Sequence, residues 1–380
     1  MRVRDVLLLL AFGLATAAHA DITIGVTLSE TGPAASIGIP ERRTVELMPD
    51  TIAGVRINYV KLDDASDSTA AVKNAKKLIA ENNIDVLLGS STSPGSIALV
   101  DVVGAAGVPL ISVSASRLIV HPVEGNRRWT FKTTQNDAQM AAAVVTHMVA
   151  NGVKSVAVIS QNDAYGQGWS NELKEKAEAR GLKVVSTETF VRTDSSVTAQ
   201  VLKTLAARPD AVLIAAAGTP SALPHIDLVT KGYKGKIYQS HGAANADFLR
   251  VGGKAVEGAF LAVGPMLVAE QLPDSAPTKA PALAFLKAYE SKYGNETRST
   301  FAGHAWDAWQ LLQRALPVAL KKASPGTAEF RTALRDALEQ TKDAVGTHGV
   351  FNMSSTDHTG LDERAAVVVT IQNGNWVLVK

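Results

Sequence analysis

The residues best placed to do chemistry in this 380-residue chain sit in short polar runs that follow apolar segments. Ser90-Ser91-Thr92-Ser93-Pro94 follows the apolar run at 86–89, and Ser114-Ala115-Ser116 follows the one at 109–112. Farther along, Asn162-Asp163-Ala164-Tyr165-Gly166, Gly218-Thr219-Pro220 and Ser240-His241-Gly242 stand in the same relation to apolar runs. Hydroxyls, a phenol and an imidazole at strand ends are hydrogen-bonding groups, and where the loop opens a helix its free N–H groups and dipole favour an anion. Each Ser or Thr taken alone is explained as well by helix N-capping, which any α/β protein needs. The case for a ligand site rests on the repeated location.

Covalent and metal chemistry find little support. Gly89-Ser90-Ser91-Thr92-Ser93 resembles a nucleophile elbow after a strand, but Ser93 stands where that turn needs its second glycine. There is no GK[ST] phosphate loop, and Gly166-Gln167-Gly168 lacks a third glycine at the right spacing. Eight histidines are scattered without HxH or HExxH, and there are no cysteines, so no metal site, cofactor or cysteine nucleophile is expected. The acidic loop Asp63-Asp64-Ala65-Ser66-Asp67 lacks the glycine and distal glutamate of an EF-hand loop and suits a turn that caps a helix. A binding protein, not an enzyme, is the expectation.

The elements that must position these loops alternate regularly. Apolar runs at 22–27, 55–62, 86–89 and 109–112 read as buried strands, with helical spacing at 40–48, 69–82 and 95–106. A second set has helices at 135–151, 168–180, 196–208 and 220–231 among strands at 156–160, 184–190, 211–217, 236–239 and 259–263. A Pro- and charge-rich stretch at 264–281 reads as a crossing segment, followed by helices at 282–293, 300–321 and 328–340 and short strands at 350–352, 365–371 and 376–379. Strand-helix alternation implies parallel sheets, because parallel neighbours need crossover helices. The fold class is α/β, with two doubly wound lobes, and ligands in such folds bind outside the carboxyl ends of the strands. On the helix starting near 300, Trp306 and Trp309 read as core, and Phe301 is the candidate for the cleft.

Thirty-eight basic against 36 acidic residues leave a charge of +2 and no basic cluster, so nucleic acid is not an expected partner. Arg2 and Arg4, an apolar run at 6–17 and Ala18-His19-Ala20 have the pattern of a signal peptide cleaved before Asp21, which implies export to the periplasm. The apolar run is shorter than the ~20 residues of a membrane span.

An ordered set of motifs carries a family resemblance over residues 21–380. Ile22-Thr23-Ile24-Gly25-Val26 with Ser29-Glu30-Thr31-Gly32-Pro33, then Leu62-Asp63-Asp64-Ala65-Ser66-Asp67, Ser90 to Pro94, Asp163-Ala164-Tyr165-Gly166-Gln167-Gly168 and Ala255-Val256-Glu257-Gly258 resemble the periplasmic solute-binding proteins of branched-chain amino-acid ABC transporters. The resemblance implies the type I periplasmic-binding fold, two Rossmann-like lobes joined by three hinge crossings that close on a ligand. In sequence order the first lobe is residues 21–137 plus 265–344 and the second 138–264 plus 345–380, after a signal peptide at 1–20. It also implies a small carboxylate ligand, delivery to an inner-membrane ABC permease, and a monomer.

In the family's amino-acid binders the ligand carboxylate is held by a serine after the third strand and by the next loop. Ser90 or Ser91, with Thr92, Ser114, Ala115 and Ser116, match those places. Tyr165 matches the tyrosine that closes over the ligand. Two departures follow: Gly218-Thr219 replaces a larger residue, and His241 stands where the acid that pairs with the α-ammonium belongs. A buried ammonium without its carboxylate costs several kcal/mol. The expected ligand is therefore an acid lacking an α-amino group, such as an aromatic or phenylpropanoid acid, with Gly218 leaving room for a flat ring. The alternatives are an amino acid whose ammonium is served by another acid, Asp163 or Asp247, and a ligand-sensing receptor on the same fold.

Overall fold

The computed structural model describes residues 20–379, so the expected signal peptide lies, apart from Ala20, outside the described residues. Six strands form the first sheet: β1 (Ile22–Leu28), β2 (Thr51–Ile52), β3 (Val55–Asp63), β4 (Val86–Gly89), β5 (Leu110–Ser112) and β6 (Thr130–Lys132). Their order is β2-β3-β1-β4-β5-β6, parallel throughout except for the β2–β3 hairpin. The crossovers are α1 (Ala35–Val45), α2 (Ser68–Asn82) and α3 (Ser93–Ala106). Strands covered by helices on both faces read as continuous apolar runs, which is why 86–89 and 109–112 are so plain in sequence. Leu87 and Leu110 pack with Ala71, Ala75, Leu78 and Leu99 of α2 and α3. Val86, Leu88 and Ile111 face the opposite way, into a core completed by α10 (Thr300–Leu320) and α11 (Ala328–Glu339), far along the chain.

The second sheet has the order β15-β14-β11-β10-β9-β7-β8. Its parallel part comprises β7 (Ser155–Gln161), β8 (Lys183–Phe190), β9 (Ala211–Ala215), β10 (Lys236–Gln239) and β11 (Phe260–Val263). α4 (Asp137–Ala150) leads into β7, and between the strands run α5 (Ala164–Glu178), α6 (Thr198–Ala206), α7 (Ala222–Thr230) and α8 (Ala246–Gly252), while β14 (Val367–Gln372) and β15 (Asn375–Leu378) close the edge antiparallel. α9 (Lys279–Tyr293) packs with α10 beside the first sheet. Two lobes of α/β structure follow from this connectivity.

Three differences from the sequence expectation have physical causes. β2 and β6 are two and three residues long, too short to show an alternation. The first helix starts at Ala35 and runs through Pro40, whose fixed φ suits a helix although it gives up one N–H bond. The tail, expected to join the second lobe at 345, stays with the first until about residue 361. The hairpin of β12 (Ala344–Val345) and β13 (Val350–Phe351) sends Phe351 into the first core together with Met353. His358 then stacks on Phe131 at 4.1 Å and its carbonyl accepts from Lys132 N–H. Among the described residues no helix is long and apolar enough to cross a membrane.

Candidate functional site

Loops at the carboxyl ends of both sheets face each other across a narrow cavity of about 30 Å³. One wall comes from the first sheet: Ser91, Thr92 and Ser93 after β4, Val113, Ser114 and Ala115 after β5, and Thr134 after β6. Tyr165, Arg192, Ala217, His241 and Gly242, after β7 to β10, form the other. Ile37 of α1 and Phe301 at the start of α10 add apolar surface.

Seven of the expected residues line this cavity: Ser91, Thr92, Ser114, Ala115, Tyr165, His241 and Phe301. Four do not. Ser90 turns away and donates to Asp64 Oδ2 at 2.7 Å, and Ser116 Oγ accepts from Leu118 N–H at 3.3 Å. Gly218 has φ 73° and ψ −164°, a backbone region that is essentially glycine's alone. A Cβ there would lie 2.8 Å from Ser36 Oγ, and the next residue, Thr219, donates its N–H to that same oxygen at 3.1 Å. The small residue at 218 therefore serves the close approach of the two walls, and the room it was expected to leave for a ring is taken by Ser36 and Ile37.

The two walls differ in which protons they leave free. On the first wall, Ser114 Oγ donates to Ser90 O within a buried cluster with Ser96 and Ser112, and Thr134 Oγ1 donates to Val113 O at 2.8 Å. Thr92 Oγ1 accepts from Gly95 N–H as the cap of α3, and Ser93 Oγ accepts from Ser116 N–H, so their own protons remain for the cavity. The Ser93 N–H, first in α3, has no intrahelical acceptor.

The second wall adds three polar groups. Asp163 caps α5, taking Tyr165 N–H and Gly166 N–H on Oδ1, and thereby fixes Tyr165. The Tyr165 oxygen accepts Gly242 N–H at 2.9 Å, leaving the phenolic proton to donate, and burial raises its pKa. Arg192 donates to Ala217 O at 3.0 Å and to Asp163 Oδ2 at 3.2 Å, which occupies two of the five guanidinium N–H groups. His241 is buried against Tyr165 and Trp169, and neither ring nitrogen has a partner. Burial, reinforced by the positive charge of Lys132, pulls its pKa to about 3, so the imidazole is neutral and offers one donor and one acceptor.

Lys132 stands behind the wall at the end of β6, fully buried, donating to Ala115 O at 2.6 Å and Gln135 O at 3.2 Å. It pins the backbone of Ala115 to the first crossing between the sheets. Burial drives its ammonium down to about 8 and the carboxyl of nearby Asp137 up to about 7, and each charge opposes the other's shift. Around the cavity the described lining contains one cation, Arg192, and no acid. Asp163 is turned to Arg192 and the α5 terminus, and Asp247 pairs with Arg250 away from the cavity. Among the described residues no cluster of His, Asp or Glu is arranged to hold a metal ion.

Ile37, Val113, Thr134, Arg192 and Ala217 lie outside the polar runs that the sequence singled out, and Ser93 and Gly242, inside those runs, were not picked as ligand contacts. Arg192 was the important omission and carried a usable signal, since it lies just beyond the carboxyl end of β8, as the other candidates lie beyond theirs.

Comparison with known proteins agrees with this architecture. Residues 21–375 match the family model described as periplasmic binding protein. The chain is 45% identical to an extracellular ligand-binding receptor from Rhodopseudomonas palustris HaA2, whose crystal structure it matches with a TM-score of 0.92 over 95% of this chain and 100% of that one. It is 27% identical over 255 residues to the Leu/Ile/Val-binding protein homolog 3 of Brucella melitensis, covering 65% of this chain and 68% of that protein. The fold recurs, at 22% identity and a TM-score of 0.81 over 95% and 96% of the two chains, in an R. palustris solute-binding protein solved with benzoate. The chain belongs to the periplasmic binding protein family, of the type that includes the Leu/Ile/Val-binding proteins.

Proposed function

We propose that this protein is the periplasmic substrate-binding component of an ABC transporter. In this reading it captures a small carboxylate that lacks an α-amino group, with aromatic and phenylpropanoid acids the favoured class. Its two lobes, residues 21–137 with 265 to about 361 and 138–264 with the remainder, close on the ligand and present it unchanged to an inner-membrane permease as a monomer. The observation that carries the ligand class is the donor-rich, acid-free lining. Thr92, Ser93, Tyr165 and Arg192 offer protons, and the imidazole of His241 adds one donor and one acceptor. A carboxylate satisfies such donors. An ammonium would meet no carboxylate, and an unpaired buried charge costs several kcal/mol. Ile37, Val113, Ala217 and Phe301 supply the apolar surface for a ring.

The names of the 26–27% identical relatives favour a second reading, a branched-chain amino acid. A thermal-shift and calorimetric screen separates the two. Stabilisation by benzoate and cinnamate but not by leucine or valine is expected, and the reverse pattern would overturn the acid reading.

A further inference from the structure

Glu41 lies directly behind the cavity wall without being part of it. It sits on α1, fully buried, with Oε2 against Ser91 Oγ and with Oε1 lacking any hydrogen-bond partner. Ser91 Oγ also accepts Ser29 N–H at 2.9 Å. The charged group nearest to acting on Glu41 is another carboxylate, Asp64, which takes Ser29 Oγ at 2.6 Å and Ser90 Oγ at 2.7 Å. Asp63, beside it, accepts from Glu30 and Thr31. The cations of α1 are engaged elsewhere: Arg42 with Glu30 and Glu46, and Arg43 over the Tyr293 ring. On α10, which packs against α1, His304 stacks on His348 and Asp307 accepts from His348. Glu41 thus has no cationic partner among the described residues. Burial, with Asp64 adding to it and the Ser91 bond opposing it, raises its carboxyl well above the ordinary range.

Ser91 has one proton and accepts at most two bonds, so the state of Glu41 decides what Ser91 shows to the cavity. Against an ionised Glu41, Ser91 donates backwards and offers the cavity only a lone pair, with a negative charge behind it. Against a protonated Glu41, Ser91 Oγ accepts from Oε2–H and from Ser29 N–H, and its own proton turns into the cavity. We propose that Glu41 is a positioning residue that holds one proton when the site takes an acid, converting Ser91 into a donor to the ligand carboxylate. The chain of bonds runs from Glu41 Oε2–H to Ser91 Oγ, and from Ser91 Oγ–H to a carboxylate oxygen of the ligand. At a pH where free protein has lost that proton, one proton enters from solvent with each ligand bound. This role rests on the acid-binding reading above.

Calorimetric titration with cinnamate and with benzoate, from pH 5.5 to 9.5, tests it on wild type, Glu41→Gln and Ser91→Ala, with thermal melts to check folding. In wild type the Kd is expected to be flat at low pH and then to climb towards tenfold per pH unit once Glu41 ionises. In Glu41→Gln the amide donates to Ser91 Oγ at every pH, so the climb disappears while low-pH affinity is kept. In Ser91→Ala binding is weaker and the climb is again absent. Lys132 and Asp137 titrate in the same range but are common to all three proteins, so the difference between profiles isolates Glu41. A climb in Kd that is the same in wild type and Glu41→Gln, or a loss of low-pH affinity in Glu41→Gln, would overturn the role of Glu41 and leave the acid reading standing. Failure of every protein to bind either acid would overturn both.

Discussion

Replacing Arg192 by alanine removes the one cation on the described cavity wall and uncovers the carboxylate that it neutralises. The guanidinium touches Ala217 O and Asp163 Oδ2 and is mostly shielded from solvent, with 14% of its side chain exposed. One charge-assisted hydrogen bond from it to a ligand carboxylate contributes about 1.5–3 kcal/mol, which is about 10- to 150-fold in Kd. Losing the arginine also leaves Asp163 charged without its partner close to the bound acid, which adds repulsion in the same direction. The fold should survive, because Asp163 Oδ1 still caps α5 through Tyr165 N–H and Gly166 N–H. Calorimetry with cinnamate is expected to give a Kd at least about tenfold higher for Arg192→Ala, at an unchanged far-UV spectrum. Arg192→Lys should fall between, since one ammonium keeps the charge but not the fork that reaches two acceptors. The exposed Asp163 should also narrow the gap between an acid and the matching amino acid. A Kd within about twofold of wild type in Arg192→Ala would refute this use of the electrostatics.

Gly218→Ala should weaken binding of the same acid, because its Cβ meets Ser36 of the facing lobe and the backbone conformation there costs a side-chain-bearing residue about 1–3 kcal/mol. Removing the Ser36 hydroxyl as well, in Gly218→Ala with Ser36→Gly, should recover part of the affinity, and no recovery would show that contact between the walls is not the cause. His241 should leave no titration in ligand affinity between pH 5 and 8, since its folded pKa is about 3. Its signature belongs in stability. The unfolded chain takes up the proton near pH 6.5 and the folded chain does not, so stability falls as pH drops from about 6.5 towards 3, by up to about 1.4 kcal/mol per unit. His241→Gln should remove that part of the slope in denaturant titrations, and an identical slope would argue against a neutral, buried His241.

Much of this fold is written in local pattern. Runs such as 86–89 are apolar without interruption because helices cover both faces of their strands, and Asp67 and Thr92 stand before expected helices that they cap, whereas Asp163 caps a helix that starts at Ala164, ahead of the expected 168. The same feature hid part of the site. A serine at a strand end looks alike whether its proton goes to a ligand or, as with Ser90 and Ser114, into the scaffold. Which it does depends on Asp64 and on backbone carbonyls brought in from other loops. Gly218 reads as lost bulk until Ser36, 182 positions earlier in the chain, is placed against it. His358 and Phe351 hold the tail on the first lobe through contacts with residues more than two hundred positions away, such as Thr130, and no local pattern announces them. Glu41 likewise looks like an ordinary helix-surface glutamate next to Arg42 and Arg43 until the turn of α1 puts it inside.

The central claim, that the cavity takes an acid and refuses an ammonium, is tested most directly by a matched pair. 3-Phenylpropanoate and phenylalanine share a ring, a chain and a carboxylate and differ in the α-amino group alone. Calorimetry of the wild-type protein at neutral pH is predicted to show 3-phenylpropanoate binding at least about a hundredfold more tightly, since a buried ammonium facing Arg192, Tyr165 and a neutral His241 costs several kcal/mol. Equal affinities, or tighter binding of phenylalanine, would contradict the account.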